Sequence, residues 1–134
     1  MENLLSQDIT GTIGTEKYAS EITWRNGTFI MDEPKEIEGK DSGPDPYTTL
    51  LAALAGCTLT TLRMYIHRKQ WNIPEIKIAL NMSQEKDPLK TIIKRTISFS
   101  QEISDEYKEK LLMIAGKCPV SKILENNIHI STSI

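Results

Sequence analysis

The two cysteines, Cys57 and Cys118, are the residues of this chain best suited to chemistry. They stand 61 residues apart, so the chain has no CxxC motif of a thioredoxin-like redox site or a zinc site. Each could be a small buried hydrophobic residue, as free cysteines often are. As a pair they could instead reduce a peroxide. One thiolate would attack the O–O bond and become a sulfenic acid, and the other would condense with it to a disulfide.

Cys57 lies in the most apolar helix that the sequence predicts, from about Pro46 to Gln70. Asp45 can cap this helix, and proline suits its first turn. The first half is apolar almost all round, and such a helix is expected to be buried on every side. Few elements remain in a chain of 134 residues to cover it, so the pattern favours a partner chain.

Cys118 precedes Pro119 at the predicted start of a short helix that runs to about Glu125. Backbone N–H groups and the helix dipole favour a thiolate at such a position. Another helix is predicted just before it, because Ser104 can serve as an N-cap and acidic residues fill the first turn.

Strands are predicted on both sides of the long helix. Asn26-Gly27 between two β-like runs is a strong hairpin signal, since both residues tolerate a positive φ. Residues 33–45 form a loop, with Asp32 and Glu33 at a solvated strand end. One later strand alternates Ile93, Arg95, Ile97 and Phe99 on one face with mostly polar residues on the other. The predicted strands are Asn3–Gly14, Tyr18–Trp24, Thr28–Met31, Glu75–Ser83, Thr91–Ser100 and Ile128–Thr132.

The element order is therefore β-β-β-α-β-β-α-α-β, an α+β fold with a mostly antiparallel sheet, in a single domain spanning 1–134. Apolar content of 39% and charged content of 25% are ordinary for a globular protein. The net charge of −2 and the lack of a basic stripe argue against nucleic acid or an anionic membrane as partner. No metal is expected, because no Cys or His pair has ligand spacing.

The location expected from the sequence is the cytoplasm. The first ten residues, MENLLSQDIT, lack the basic and apolar regions of a secretory signal. The longest apolar run, Leu50–Cys57, is far shorter than the roughly 20 residues that span a bilayer. In the cytoplasm two cysteines are expected as thiols rather than as a structural disulfide.

Two segments together resemble the OsmC/Ohr family, the osmotically inducible and organic hydroperoxide resistance proteins. The first is GPDPYTTLLAALAGCTLTTLRMYIHRK, in which a Gly-x-x-Pro helix start leads to a cysteine eleven residues after the proline. The second is KCPVSKIL near the C-terminus. The OsmC-like branch is the most similar, and Asp32-Glu33-Pro34 also fits it.

The resemblance implies a thiol-dependent peroxidase that forms an intertwined homodimer around its long helices. Cys57 would be the peroxidatic thiol and Cys118 the resolving thiol, at the dimer interface. Organic hydroperoxides would be better substrates than hydrogen peroxide. An external thiol reductant would reset the site, with no metal or organic cofactor.

The chain departs from the family pattern beside the helix start. Family peroxidases support the reactive cysteine with an arginine and a glutamate, and Tyr47 and Thr48 occupy the places of the acidic residue. Arg63 and Glu33 are the candidate substitutes, although Arg63 lies on a different helix face from Cys57. Tyr47 could also support the site. This departure leaves open the alternative that the protein is a catalytically weak member of the family. It would then serve as a redox-responsive or small-molecule-binding dimer.

Overall fold

The computed structural model describes all 134 residues, and the chain divides into two compact units, Met1–Leu50 and Leu51–Ile134. Each unit is described by itself below, and the single domain expected from the sequence stays a prediction. The strands are β1 Thr10–Ile13, β2 Ser20–Trp24, β3 Gly27–Met31, β4 Ile76–Lys86 and β5 Leu89–Phe99. The helices are α1 Pro46–Lys69, α2 Asp105–Ala115 and α3 Pro119–Leu124.

The first unit is built on an antiparallel meander in the order β1-β2-β3. Trp24 pairs with Gly27 across the turn Arg25-Asn26, which confirms the predicted hairpin, but neither Asn26 nor Gly27 adopts a positive φ. A Cβ at Gly27 would lie 2.3 Å from the Trp24 ring, so the glycine is required for the indole to lie across the turn. β1 is much shorter than its predicted range, Asn3–Gly14.

The loop after β3 is held by a buried carboxylate. Asp32 is only 2% exposed, so the prediction that it lies at a solvated strand end is wrong. Its carboxylate accepts the Ser42 hydroxyl at 2.6 Å, the Ser42 N–H at 3.2 Å and the Glu33 N–H at 2.8 Å. The Ser42 hydroxyl, followed by the Glu33 N–H, lowers the pKa of Asp32 from its ordinary value of 3.8. This aspartate fixes the path of the chain from β3 toward α1.

α1 begins as predicted, because the Asp45 carboxylate accepts the Thr48 N–H at 3.2 Å. Its buried residues, Leu54, Thr58, Leu62, Tyr65 and Ile66, form one stripe. Apolar side chains elsewhere on the helix stay open, with Leu50 41% and Met64 67% exposed. One chain therefore does not bury this helix on every side, and a covering partner stays a prediction. By length and composition alone α1 could cross a membrane, but the core helix of a soluble protein passes the same test.

The second unit packs α1 and α2 with the antiparallel β4-β5 hairpin. Ser104 caps α2 as predicted, its hydroxyl accepting the Tyr107 N–H at 3.2 Å. Trp71 stacks on Tyr107 with ring centroids 3.7 Å apart, and Tyr65 meets Trp71 edge-on. The buried core comprises Leu62, Tyr65, Ile66, Ile73, Ile103, Leu111, Ile114 and Ala115.

The α+β class with antiparallel sheets is confirmed, but the strand predicted at Ile128–Thr132 does not form. Alternating side chains produce a strand only where a sheet edge supplies hydrogen-bond partners. In this chain β4 and β5 pair only with each other, and residues 126–134 pair with neither. The strands therefore form one three-stranded and one two-stranded sheet.

Candidate active site

The two thiols meet in the second unit although 61 residues separate them in the sequence. Cys57 lies near the middle of α1, and Cys118 is the N-cap residue of α3. Both are free thiols, and they lie close enough for each to shift the pKa of the other. Two reduced cysteines that meet in the fold are candidates for oxidation to a disulfide.

The local sequence fixes Cys118 at a helix start. Pro119 occupies the first turn of α3, where its missing N–H costs no hydrogen bond. The Cys118 N–H donates to the Ala115 carbonyl at 3.3 Å, and its own carbonyl accepts the Lys122 N–H at 3.1 Å. The end of α2 and the start of α3 thus hold the Cys118 backbone on both sides.

The two thiols differ in their exposure to solvent. Cys118 is 0% exposed, whereas Cys57 is partly exposed. Gly56, the residue before Cys57, faces open space, since a Cβ there would meet no atom within 4 Å. Cys57 therefore has surface open to solvent, whereas Cys118 has none.

The pKa values of the two thiols also shift in opposite directions. Burial raises the pKa of Cys57 above 9.0, and the hydrogen bond that its thiol donates to Cys118 raises it further. Burial also raises the pKa of Cys118, but hydrogen bonds outweigh it and the net shift is downward. Their donors are, in order of effect, the Cys57 thiol, the Ser121 N–H, the Thr58 hydroxyl and the Val120 N–H. The pKa of each thiol thus depends on the presence of the other.

Arg95 is a neighbour of this pair that the sequence analysis did not select. Its Nη1 donates to the Thr58 hydroxyl oxygen at 2.8 Å and to the Ser121 hydroxyl oxygen at 2.9 Å. The sequence did carry a signal, because a cation on the alternating apolar face of β5 needs a polar partner inside the fold. A guanidinium therefore binds the side chains of Thr58, the residue after Cys57, and of Ser121, three residues after Cys118.

A family model described as OsmC-like protein matches residues 39–133, which is more than half of the chain. The chain belongs to the OsmC-like family. No protein with a curated description matches it.

Solved OsmC and Ohr structures share the fold. A putative osmotic stress induced and detoxification response protein from Psychrobacter arcticus 273-4 is 22% identical, with a TM-score of 0.76 over 96% of this chain and 91% of that one. The Legionella pneumophila organic hydroperoxide resistance protein OsmC is 17% identical, with a TM-score of 0.70 over 94% and 93%. OhrB of Bacillus subtilis is 20% identical, with a TM-score of 0.66 over 93% and 94%. At these identities the likeness extends to the fold alone.

The residues expected to support Cys57 in this OsmC-like chain lie in different places. Arg63 donates to the carbonyls of Ile73 and Pro74 at 2.8 and 3.1 Å, so its guanidinium holds the segment after α1. Glu33 and Tyr47 lie in the first unit, and their support of Cys57 stays a prediction. Tyr47 is 67% exposed.

Proposed function

We propose that this OsmC-like protein is a thiol-dependent peroxidase that reduces organic hydroperoxides. The observation that carries the proposal is the proximity of the free thiols Cys57 and Cys118, each of which shifts the pKa of the other. A cytoplasmic location, a homodimer, an external thiol reductant and independence of metals and organic cofactors belong to the same proposal. The exposed apolar side chains of α1 are consistent with a covering second copy.

The exposures of the thiols support Cys57 as the peroxidatic residue. A hydroperoxide oxygen must reach the attacking sulfur, and Cys57 is the partly exposed one. Cys118 is fully buried and next to it, where a resolving thiol must be. The same burial protects the Cys118 sulfur from oxidation by peroxide in solution.

The first step consumes one hydroperoxide. Cys57 gives up its proton, and its thiolate attacks the distal peroxide oxygen. The O–O bond breaks, leaving a sulfenic acid on Cys57 and an alkoxide. The alkoxide takes up the proton that Cys57 released and leaves as an alcohol.

The second step closes the disulfide. Cys118 gives up its proton and attacks the Cys57 sulfur, the S–O bond breaks, and the leaving hydroxide takes that proton to become water. Two equivalents of an external thiol then reduce the disulfide by exchange. The cycle converts one hydroperoxide and two thiols into an alcohol, water and one external disulfide.

A catalytically weak redox-responsive or small-molecule-binding dimer is the second candidate. It is favoured by the raised pKa of Cys57, because burial and the hydrogen bond to Cys118 keep the exposed thiol protonated. Tyr47 and Thr48 in place of the family acid point the same way. In this case the thiols would react with hydroperoxides no faster than free cysteine.

Turnover separates the two candidates. Reduced protein is mixed with tert-butyl hydroperoxide or hydrogen peroxide and excess dithiothreitol, and peroxide loss is followed. The peroxidase proposal predicts that the protein consumes peroxide catalytically, and faster with the organic substrate. Alkylation of the thiols should abolish this consumption. Peroxide loss at the rate of an equal concentration of free cysteine would overturn the proposal and leave the weak dimer.

A further inference from the structure

The helix that begins at Cys118, α3, lies outside the hydrophobic core of the second unit. The core residues belong to α1, to α2 and to the segments after α1 and before α2, and none belongs to α3. Ser121 is the one buried residue within α3, and Ile123 is 47% exposed. A helix of six residues is not stable by its own backbone hydrogen bonds. Contacts of Ser121 are therefore important for the position of α3.

Arg95 of β5 binds α1 and α3 through one nitrogen atom. Its Nη1 donates to the Thr58 hydroxyl oxygen at 2.8 Å and to the Ser121 hydroxyl oxygen at 2.9 Å. Because both oxygens bind the same nitrogen, α1 and α3 lie side by side at this point. Thr58 directly follows Cys57, and Ser121 lies about one helical turn after Cys118. These three residues, Arg95, Thr58 and Ser121, are called the Arg95 bridge below.

The partners of the Arg95 bridge are fixed inside the fold. Thr58 is 0% exposed, and its hydroxyl donates to the Leu54 carbonyl at 2.7 Å, which leaves its oxygen to accept from Arg95. Ser121 is 4% exposed. No carboxylate forms an ion pair with Arg95. Hydrogen bonds from a charged donor are stronger than neutral ones, so the bridge is a firm link between β5, α1 and α3.

We propose that Arg95 is a positioning residue that holds α3 against α1, so that Cys118 stays beside Cys57 in the arrangement from which a disulfide closes. For its role in turnover the inference rests on the proposed peroxidase function. Its structural part concerns the closure of the disulfide and does not depend on which oxidant forms it.

The bridge and a disulfide would be two links between the same pair of helices. Each restricts the motion that the other must restrict, so each stabilises the other to the same extent. Without the bridge α3 moves away from α1 more often, and the effective concentration of Cys118 at Cys57 falls. An arginine that only stabilises the fold would act equally on the reduced and the oxidised protein. Its loss would then leave the equilibrium between them unchanged.

The test is the thiol–disulfide equilibrium of the protein with dithiothreitol. The protein disulfide forms, the ring disulfide of oxidised dithiothreitol breaks, and the two protons pass to reduced dithiothreitol. In folded Arg95→Met the equilibrium constant for the protein disulfide should fall about tenfold. Arg68→Met is the matched control, since it removes the same charge from the exposed end of α1 and should leave the constant unchanged. An unchanged constant in Arg95→Met, whatever its melting temperature, would overturn the inference.

A double-mutant cycle tests whether Arg95 acts through Ser121. Ser121→Ala removes the end of the bridge on α3 and should lower the same constant severalfold. Combined with Arg95→Met it should cause little further loss, because both substitutions break one contact. Fully additive losses would show that Arg95 acts by another route and would refute the proposed bridge.

Two milder variants carry the test if Arg95→Met does not fold. Thr58→Val keeps the shape of the side chain without the hydroxyl, and Ser121→Ala removes only the hydroxyl. Each takes one acceptor from Arg95, so each should lower the equilibrium constant. The wild-type constant in both variants would refute the inference.

In turnover, loss of the bridge should prolong the life of the sulfenic acid on Cys57. A second hydroperoxide then oxidises it to a sulfinic acid and is itself reduced to an alcohol. Under excess tert-butyl hydroperoxide, intact mass should show more sulfinic acid in Arg95→Met than in the wild type, and equal amounts would overturn the inference. A shifted dithiothreitol equilibrium in a protein without hydroperoxide turnover would instead refute the peroxidase function and leave the role of Arg95 standing.

Discussion

Cys57→Ser is expected to lose hydroperoxide turnover by roughly a thousandfold or more. The serine hydroxyl is close in size to the thiol but cannot form a sulfenic acid. Cys118 cannot replace it, because its sulfur is 0% exposed. Steady-state peroxide consumption with excess dithiothreitol measures the loss.

Cys118→Ser is the matched control, since it removes the other thiol of the same pair. This variant should still react once with the hydroperoxide and accumulate a sulfenic acid on Cys57, which dimedone traps as a stable adduct. Turnover equal to the wild type in Cys57→Ser, or a dimedone adduct on Cys118, would reverse the assigned roles.

Leu111→Ala is expected to lower the free energy of unfolding by roughly 2–5 kcal/mol. Leu111 is 2% exposed in the core of the second unit, so alanine would remove apolar contacts and leave a cavity. In a chain of this length the melting temperature should fall on the order of 10 °C. Urea unfolding and a thermal melt measure both quantities.

The next residue supplies a control on the same helix. Leu112 is 73% exposed, so Leu112→Ala should change the free energy of unfolding by less than about 1 kcal/mol. The two variants carry the same substitution and differ in burial. Equal losses would show that Leu111 is not a core residue, contrary to the packing described for the second unit.

Local signals predicted the elements that position the site. Asp45 and Pro46 at the start of α1 and Asn26-Gly27 in the hairpin each act over a few residues, so the sequence reveals them directly. The predicted strand at Ile128–Thr132 failed because a strand depends on a partner elsewhere in the fold. Alternation in the sequence cannot tell whether such an edge is available.

The candidate site depended on contacts that local patterns do not contain. The family motif pointed to Cys57 and Cys118, but only the fold shows that the two thiols lie close enough to shift each other's pKa. Arg95 meets its hydroxyl partners across 37 and 26 residues. Its place on an apolar strand face was a visible anomaly, whereas its partners could not be identified without the fold.

The most direct test of the account is the intact mass of the protein after a single oxidation. Reduced protein receives one equivalent of an organic hydroperoxide and is quenched within seconds. If Cys57 and Cys118 act as a redox pair, the intact mass should fall by two hydrogens. This mass change should be absent in both Cys57→Ser and Cys118→Ser. An unchanged mass, with both thiols still titratable after unfolding, would contradict the account.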